Sequence, residues 1–365
     1  MRRTLSSSVS PPLPLRLRDL SNLDFIRSVA VLLVVMAHVT LYTGHFPSAI
    51  GWLGHAGVYI FFVHTSLVLM WSMERDPDTG RFYLRRIFRI FPLWLVVLAA
   101  YLLLRIPASP VLAPAFGVYH PSAGEVLANI FLLFDLRYGP NIVGASWSLP
   151  LEVQMYVVLP FLFFFIRTTK QIWPILVLDA MAMAFGAANL DAGYTLMLRS
   201  VPCFLPGVIA YRLFATTRPR LPGWIFPPFF LSYGLLMCRF ASQRNGWILC
   251  LGLGLVLPLF RQIEWGWLNR TTHVIAKYSY GIYLTHILAI AVAVYVLRAH
   301  GMAVRVGSFF ALFLGLPVLL YHTVEERMIR LGSRLAHGHA ERKLASGRGS
   351  TSPSLASESD LSPAP

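Results

Sequence analysis

The sequence predicts an all-α, polytopic transmembrane helix bundle of about ten spans with both termini in the cytoplasm. Three observations predict it. Of 365 residues, 56% are hydrophobic and only 13% charged, with a mean hydropathy of +0.62; a soluble domain carries about 25% charged residues. Apolar stretches of about 20 residues recur, each long enough to cross a hydrocarbon core. They lack the alternation of a membrane β-barrel, and helices satisfy their own backbone hydrogen bonds in lipid. The net charge of +15 does not point to nucleic acid. The basic residues gather at helix ends and in alternate loops, where topology signals lie.

Taken in order, residues 1–20 are expected to be a disordered cytoplasmic arm. They hold arginines, serines and prolines but not the apolar core and small-residue cleavage site of a signal peptide. The spans follow at about 23–43, 51–73, 88–106, 147–166, 172–190, 194–214, 223–239, 245–260, 274–298 and 303–324. Residues 126–134 are apolar but too short to cross, so they lie on the surface or re-enter. One side of the membrane collects the N-terminal arm, Arg81, Arg85, Arg86 and Arg89, Arg167 with Lys170, Arg218 with Arg220, and the arginines after Glu326. The long 107–146 connection carries only Arg137 against Glu125 and Asp135. The basic side is therefore cytoplasmic and the long loop faces outward, with Arg239, Arg244, Arg298 and Arg305 as minority votes. Residues 21–335 form the membrane domain. Residues 336–365, rich in Ser, Pro, Ala and Gly after Ala340, are expected to be a disordered cytoplasmic tail. No internal repeat is visible. Cys203, Cys238 and Cys250 show no metal-ligand spacing and read as buried thiols.

The first span carries Asp24, Arg27 and His38 on one stripe. An arginine at the bilayer centre costs at least ~2.5 kcal/mol on insertion scales, so such groups are retained for a reason. Eleven residues separate Arg27 from His38, which is about three turns and about 16 Å along the axis. The plain alternative is a polar stripe that joins helices through buried hydrogen bonds. The run from Arg81 to Pro92 leads into the third span with Arg85, Arg86 and Arg89. It serves as positive-inside charge with anionic-lipid contact or as a phosphate site, since guanidinium forks suit phosphate oxygens. Trp147-Ser148-Leu149-Pro150-Leu151-Glu152 opens the fourth span from the outer side, with Ser148 as N-cap and Pro150 in the first turn. Glu152 then lies about as deep as His38, and a carboxylate there needs a partner unless its role is only interfacial. Tyr283 and His286 fall within the ninth span. For His286, as for His64 in the second, a structural hydrogen bond is at least as good a reading as chemistry.

Together these segments resemble the acyltransferase-3 family of integral membrane acyltransferases, over about residues 20–335. Leu23-Asp24-Phe25-Ile26-Arg27 through Met36-Ala37-His38 is similar to its opening helix. Gly57-Val58 with Phe61-Phe62-Val63, Tyr83-Leu84-Arg85-Arg86 with Arg89-Ile90 and Pro92, Trp147-Ser148-Leu149 with Glu152, Gln154 and Tyr156, and Ser279-Tyr280 with Tyr283-Leu284 and His286 follow in the expected order. Three places depart from the pattern: His64-Thr65-Ser66 stand where leucine, serine and glycine are usual, Val153 stands in place of a second acid, and no proline follows Glu325.

The resemblance implies transfer of an acyl group, most often acetyl from acetyl-CoA, to a hydroxyl of an extracytoplasmic or membrane-linked glycan such as exopolysaccharide or lipopolysaccharide. Acyl-CoA is a donor substrate, and no bound cofactor or metal is expected. The expected setting is the inner or plasma membrane of a bacterium, with the lipid bilayer and the glycan as partners and no nucleic acid. Arg27, Arg85, Arg86 and Arg89 would hold the anionic donor. His38 would be the general base, a task that an imidazole of unperturbed pKa about 6.5 suits near neutral pH, or the carrier of an acyl relay. Glu152 would orient His38, stabilise its charged form or bind sugar hydroxyls. Asp24, Trp147, Ser148, Tyr156, Tyr283 and His286 would support the site or contact the acceptor. Acylation of a small glycoside or macrolide-type metabolite is the alternative within this chemistry. A proton-coupled transporter using Arg27, His38 and Glu152 is the alternative outside it.

Overall fold

The computed structural model describes residues 20–44, 48–106, 120–136, 141–169, 171–189, 196–239 and 243–349. A helix occupies each of the ten segments expected to span. These are α1 (Ser21–Thr43), α2 (Ser48–Arg75), α3 (Thr79–Leu103), α5 (Leu149–Thr168), α6 (Trp173–Ala188), α7 (Leu196–Thr216), α8 (Phe226–Arg239), α9 (Gln243–Val256), α10 (Gly266–Ala291) and α11 (Met302–Leu320). Two more lie among the described residues, α4 (Ala123–Ile130) and α12 (Glu326–Gly349). Among the described residues, six helical segments are long and apolar enough to cross a membrane, and α6, α8 and α9 belong to shorter apolar helices. Large apolar side chains such as Phe161, Leu235, Ile248 and Leu314 face outward. A soluble monomer rarely exposes such area, whereas a multi-pass membrane protein gives it to lipid.

Helix α3 begins at Thr79, well before the expected start near 88. Asp78 caps it, its side chain accepting the Arg81 backbone N–H, so the basic lead-in forms the first turns of the helix itself. The apolar 126–134 stretch is split. Ser122 and Glu125 form a capping box for α4, whose end is fixed by Asn129, which accepts Trp94 Nε1 on its carbonyl at 2.8 Å. Helix α12 runs into the segment expected as a tail. The chain stays helical to Gly349, because Glu, Arg, Leu, Ala and Lys there are good helix formers and because Gly332 lets the helix pack against Phe88 of α3. Residues 350–365, the arm before Leu20 and residues 107–119 of the long connection lie outside the described residues.

Helix α2 runs through the centre, packed by α1, α7, α8 and α5. Glycine makes two of these approaches possible. A Cβ on Gly57 would stand 2.5 Å from the Ala30 carbonyl of α1, and one on Gly207 would stand 2.1 Å from Ser66 Oγ and the Val63 carbonyl. Close backbone approach through small residues is the usual means of helix packing in lipid. Ser66 donates to the Phe204 carbonyl of α7 at 2.6 Å, which gives this departure from the family pattern a structural purpose.

Candidate active site

The α1 stripe faces α10, and three contacts set the register. Asp24 meets His273 Nδ1 at 2.8 Å, Arg27 Nε donates to Ser279 Oγ at 2.6 Å, and His38 meets His286 at 3.3 Å. Both series ascend, so α1 and α10 run parallel. Asp24 is thereby half-exposed and paired with His273; it belongs to the rim of the stripe.

Hydrogen bonding fixes the histidine tautomers. His286 Nδ1 lies 2.7 Å from the Tyr283 carbonyl and 3.2 Å from that of Ile282. Carbonyls only accept, so Nδ1 carries the proton and Nε2 is left with its lone pair. His38 Nδ1 lies 2.8 Å from the Val34 carbonyl and 3.3 Å from His286 Nε2, and both of these accept. His38 therefore also holds its proton on Nδ1, and its Nε2 lone pair remains available. The two rings meet edge to face with centroids 5.0 Å apart. Of the supporting residues, the one that touches the candidate base is His286, not Glu152.

Two cavities lead from this pair. One is lined by His38, Leu41, His55, Ala145 and Trp147. The other, narrower, is lined by Ala30, Phe61, Ser148, Glu152, Ser279 and Tyr280. Val34, Val58 and Tyr283 line both, so they meet there. The Tyr283 hydroxyl donates to the Ala145 carbonyl at 2.6 Å and hence accepts from Ser148 Oγ at 2.8 Å. Ser148 stands at the head of α5 as expected, but its hydroxyl makes no cap bond; it is turned to Tyr283 instead.

Beyond the second cavity lies a charged layer. Glu152 accepts from the Tyr156 hydroxyl at 2.5 Å and is within electrostatic reach of Arg27, Arg89 and Arg86. Arg27 also lies 5.7 Å from the Phe61 ring centre. Glu325, in the π-helical turn Tyr321–Glu325 before α12, faces Arg89 and Arg27. Glu152 thus stands with the arginines, while His38 meets His286. One turn inside α5 brings the carboxylate to the arginines because the segment 141–148 tucks inward before α5 begins, with Ile142 and Val143 buried.

The basic lead-in separates into two tiers. Arg81 and Arg85 both bind Asp76, the latter at 2.5 Å, so one carboxylate holds both side chains. Arg86 and Arg89, facing inward, join Arg27. Of the four arginines assigned to the donor, the structure brings three together and ties Arg85 elsewhere. Trp147 stacks obliquely near His55, with centroids 5.5 Å apart, and His55 is a lining residue that the sequence reading missed. Its position near one end of an apolar helix looks interfacial, and only the fold brings Trp147 to it. His64, read from the sequence as a mid-span histidine, lies near Arg27 and Arg89; Glu325, visible in the sequence only as a departure from a motif, lies near the same two arginines.

A family model described as an acyltransferase domain matches residues 20–322. No curated protein matches, and no solved structure does.

Proposed function

The chain belongs to the acyltransferase-3 family, and from that premise we propose that it is a membrane O-acyltransferase using acyl-CoA, with acetyl-CoA first among the donors, to acylate a hydroxyl of a cell-surface or exported glycan. The observation that carries the reading is the junction at Tyr283. There a cavity bearing an available imidazole nitrogen meets a cavity lined by Glu152 and by Ser279, to which Arg27 donates, and this gives an acceptor and an anionic donor separate approaches to one point.

In this mechanism the CoA phosphates rest on Arg27, Arg86 and Arg89, where guanidinium forks suit phosphate oxygens. The acyl thioester reaches through the second cavity to the junction. The acceptor hydroxyl lies in the first cavity against His38 Nε2. His38 removes its proton as the oxygen attacks the thioester carbonyl carbon. The C–S bond then breaks, and the departing thiolate takes the proton back from His38. His286 Nε2 accepts the His38 Nδ1–H throughout, which stabilises the transient imidazolium. Glu152 balances the arginine layer; Trp147 and His55 wall the acceptor side.

The reading includes ten spans in an inner or plasma membrane, with the α2–α3 turn and α12 in the cytoplasm. Support comes from the parallel run of α1 and α10 and from the arginines collected at that end. The test is mass spectrometry of surface glycans from cells expressing the wild type or His38→Ala at equal level. An acyl group present with the wild type and absent with the variant is expected. Proton-driven uptake with no acyl product in either case would instead make the chain a transporter.

A further inference from the structure

Acyl transfer passes through a tetrahedral intermediate whose former carbonyl oxygen is negatively charged, and that oxygen needs a hydrogen-bond donor. The mechanism above gives the acceptor a base and the phosphates their arginines, but it leaves this oxygen unserved. The intermediate forms where the two cavities meet. Val34, Val58 and Tyr283 are the residues that line both. A valine side chain has no donor, whereas the tyrosine hydroxyl has one.

The surroundings of Tyr283 fit the task. It stands three residues before His286 on α10, so the two share a helix face, with ring centroids 6.1 Å apart. His286 meets His38 at 3.3 Å, and His38 and Tyr283 line the same cavity. The face of α10 that backs the base therefore also brings a hydroxyl to the space in front of it. That hydroxyl accepts from Ser148 Oγ at 2.8 Å and donates to the Ala145 carbonyl at 2.6 Å. Accepting one hydrogen bond makes a hydroxyl the stronger donor in the next. A turn about its C–O bond carries the proton from the Ala145 carbonyl to an oxygen arriving at the junction. A hydrogen bond to a charged oxygen is roughly twice as strong as one to a neutral carbonyl. The turn is thus favoured as charge develops, which stabilises the transition state rather than the bound substrate.

We propose that Tyr283 is the oxyanion donor of the acyl transfer and that Ser148 polarises it. The inference rests on the acyl-CoA reading above and adds a catalytic group to it. As the acceptor oxygen bonds to the thioester carbon, the C=O π pair moves onto the carbonyl oxygen, which takes the Tyr283 hydrogen bond. The pair returns as the C–S bond breaks, and the hydroxyl turns back to Ala145. The phenol keeps its proton throughout.

The test compares two donors, acetyl-CoA and dithioacetyl-CoA, in which sulfur replaces the carbonyl oxygen and accepts hydrogen bonds only weakly. Turnover is measured in membranes that carry the native acceptor and the full-length chain at equal level. With acetyl-CoA, Tyr283→Phe should lower kcat by about 100-fold to 1,000-fold, the usual loss for one oxyanion donor, with the donor KM unchanged. With dithioacetyl-CoA the loss should be much smaller, so the preference for the oxygen donor collapses. Ser148→Ala keeps the phenol; it should lower kcat about fivefold, the size of one neutral hydrogen bond, and reduce the preference in the same sense. If Tyr283 only clamps α10 to the head of α5, Tyr283→Phe will slow both donors equally, and the proposal is overturned. Near wild-type kcat in Tyr283→Phe overturns it as well. Should Tyr283→Phe not fold, an unchanged donor preference in Ser148→Ala would decide against it. A wild type that releases no CoA from either donor would instead sink the acyl-CoA reading.

Discussion

Replacing His286 by phenylalanine isolates the contribution of one nitrogen. The ring volume is kept, and so is the edge-to-face contact with His38, whose centroid lies 5.0 Å away. The Tyr283 and Ile282 carbonyls lose the His286 N–H but stay in the helix ladder, as they lie three and four residues back. What disappears is the Nε2 acceptor that faces His38 Nδ1. A hydrogen bond to a charged group contributes about 1.5–3 kcal/mol, and one between neutral groups about 1 kcal/mol. The distance of 3.3 Å is long, and the proton is shared with the Val34 carbonyl at 2.8 Å, so the low end applies. About 1.5 kcal/mol lost as His38 becomes imidazolium corresponds to about a tenfold fall in kcat.

The assay is thiol titration of CoA released from acetyl-CoA by membranes that carry the native acceptor. His286→Phe should lower kcat about tenfold with the donor KM unchanged. His286→Gln, whose carbonyl oxygen can take the place of Nε2, should recover most of the rate. His38→Ala should lose at least ~100-fold, the least that general-base catalysis contributes. In a His38→Ala background, His286→Phe should add no further loss, because the two act as one unit. Wild-type turnover in His286→Phe, or equal losses in the Phe and Gln variants, would refute the reasoning.

Three further outcomes follow from the same geometry. Arg86→Ala and Arg89→Ala should each weaken CoA binding at least about tenfold by calorimetry, a charge-assisted contact apiece, whereas Arg81→Ala and Arg85→Ala should change it little because Asp76 already holds those side chains. Glu152→Ala strands the Tyr156 hydroxyl and removes charge from beside three arginines; thermal unfolding in detergent should show a loss of about 3–5 kcal/mol, with Glu152→Gln losing less because the hydroxyl keeps its acceptor. Gly57→Ala drives a methyl group to within 2.5 Å of the Ala30 carbonyl, so α1 must move away from α2; a stability loss of about 1–3 kcal/mol should come with a fall in kcat, since α1 carries His38.

How far the sequence carries these arguments depends on the kind of signal. Span positions were legible because twenty apolar residues leave a continuous mark, and a helix lies on every one of the ten predicted segments. Helix starts were less legible. Asp78 caps α3 nine or ten residues before the apolar run begins, and an apolar window is blind to amphipathic turns. Along a single helix the stripe of Arg27 and His38 followed from 3.6 residues per turn, and α10 indeed receives both. Between helices the reasoning had only depth to use. Equal counting from the outer face put Glu152 beside His38, but depth fixes neither rotation about the helix axis nor the path of the chain before α5. The pairing of His38 with His286, and of His55 with Trp147, depends on which faces meet, and no local pattern encodes that.

The same two cavities bear on the choice between direct transfer and a covalent acyl-histidine. His38 Nε2 is as available to a thioester carbonyl as to a hydroxyl proton, so its tautomer serves either route. The cavities decide differently. They share only Val34, Val58 and Tyr283, so donor and acceptor have separate approaches to one point. A covalent relay is of use where a single site must hold donor and acceptor in turn; with two sites meeting at one point, proximity alone makes the attack effectively intramolecular. Sequential kinetics are expected, with initial-rate lines that intersect as donor and acceptor are varied. Labelled CoA should not exchange into acetyl-CoA unless acceptor is present, since the only route for exchange without it is an acyl-enzyme. Parallel lines together with acceptor-independent exchange abolished by His38→Ala would assign His38 the nucleophile's role and leave the two-cavity argument without force.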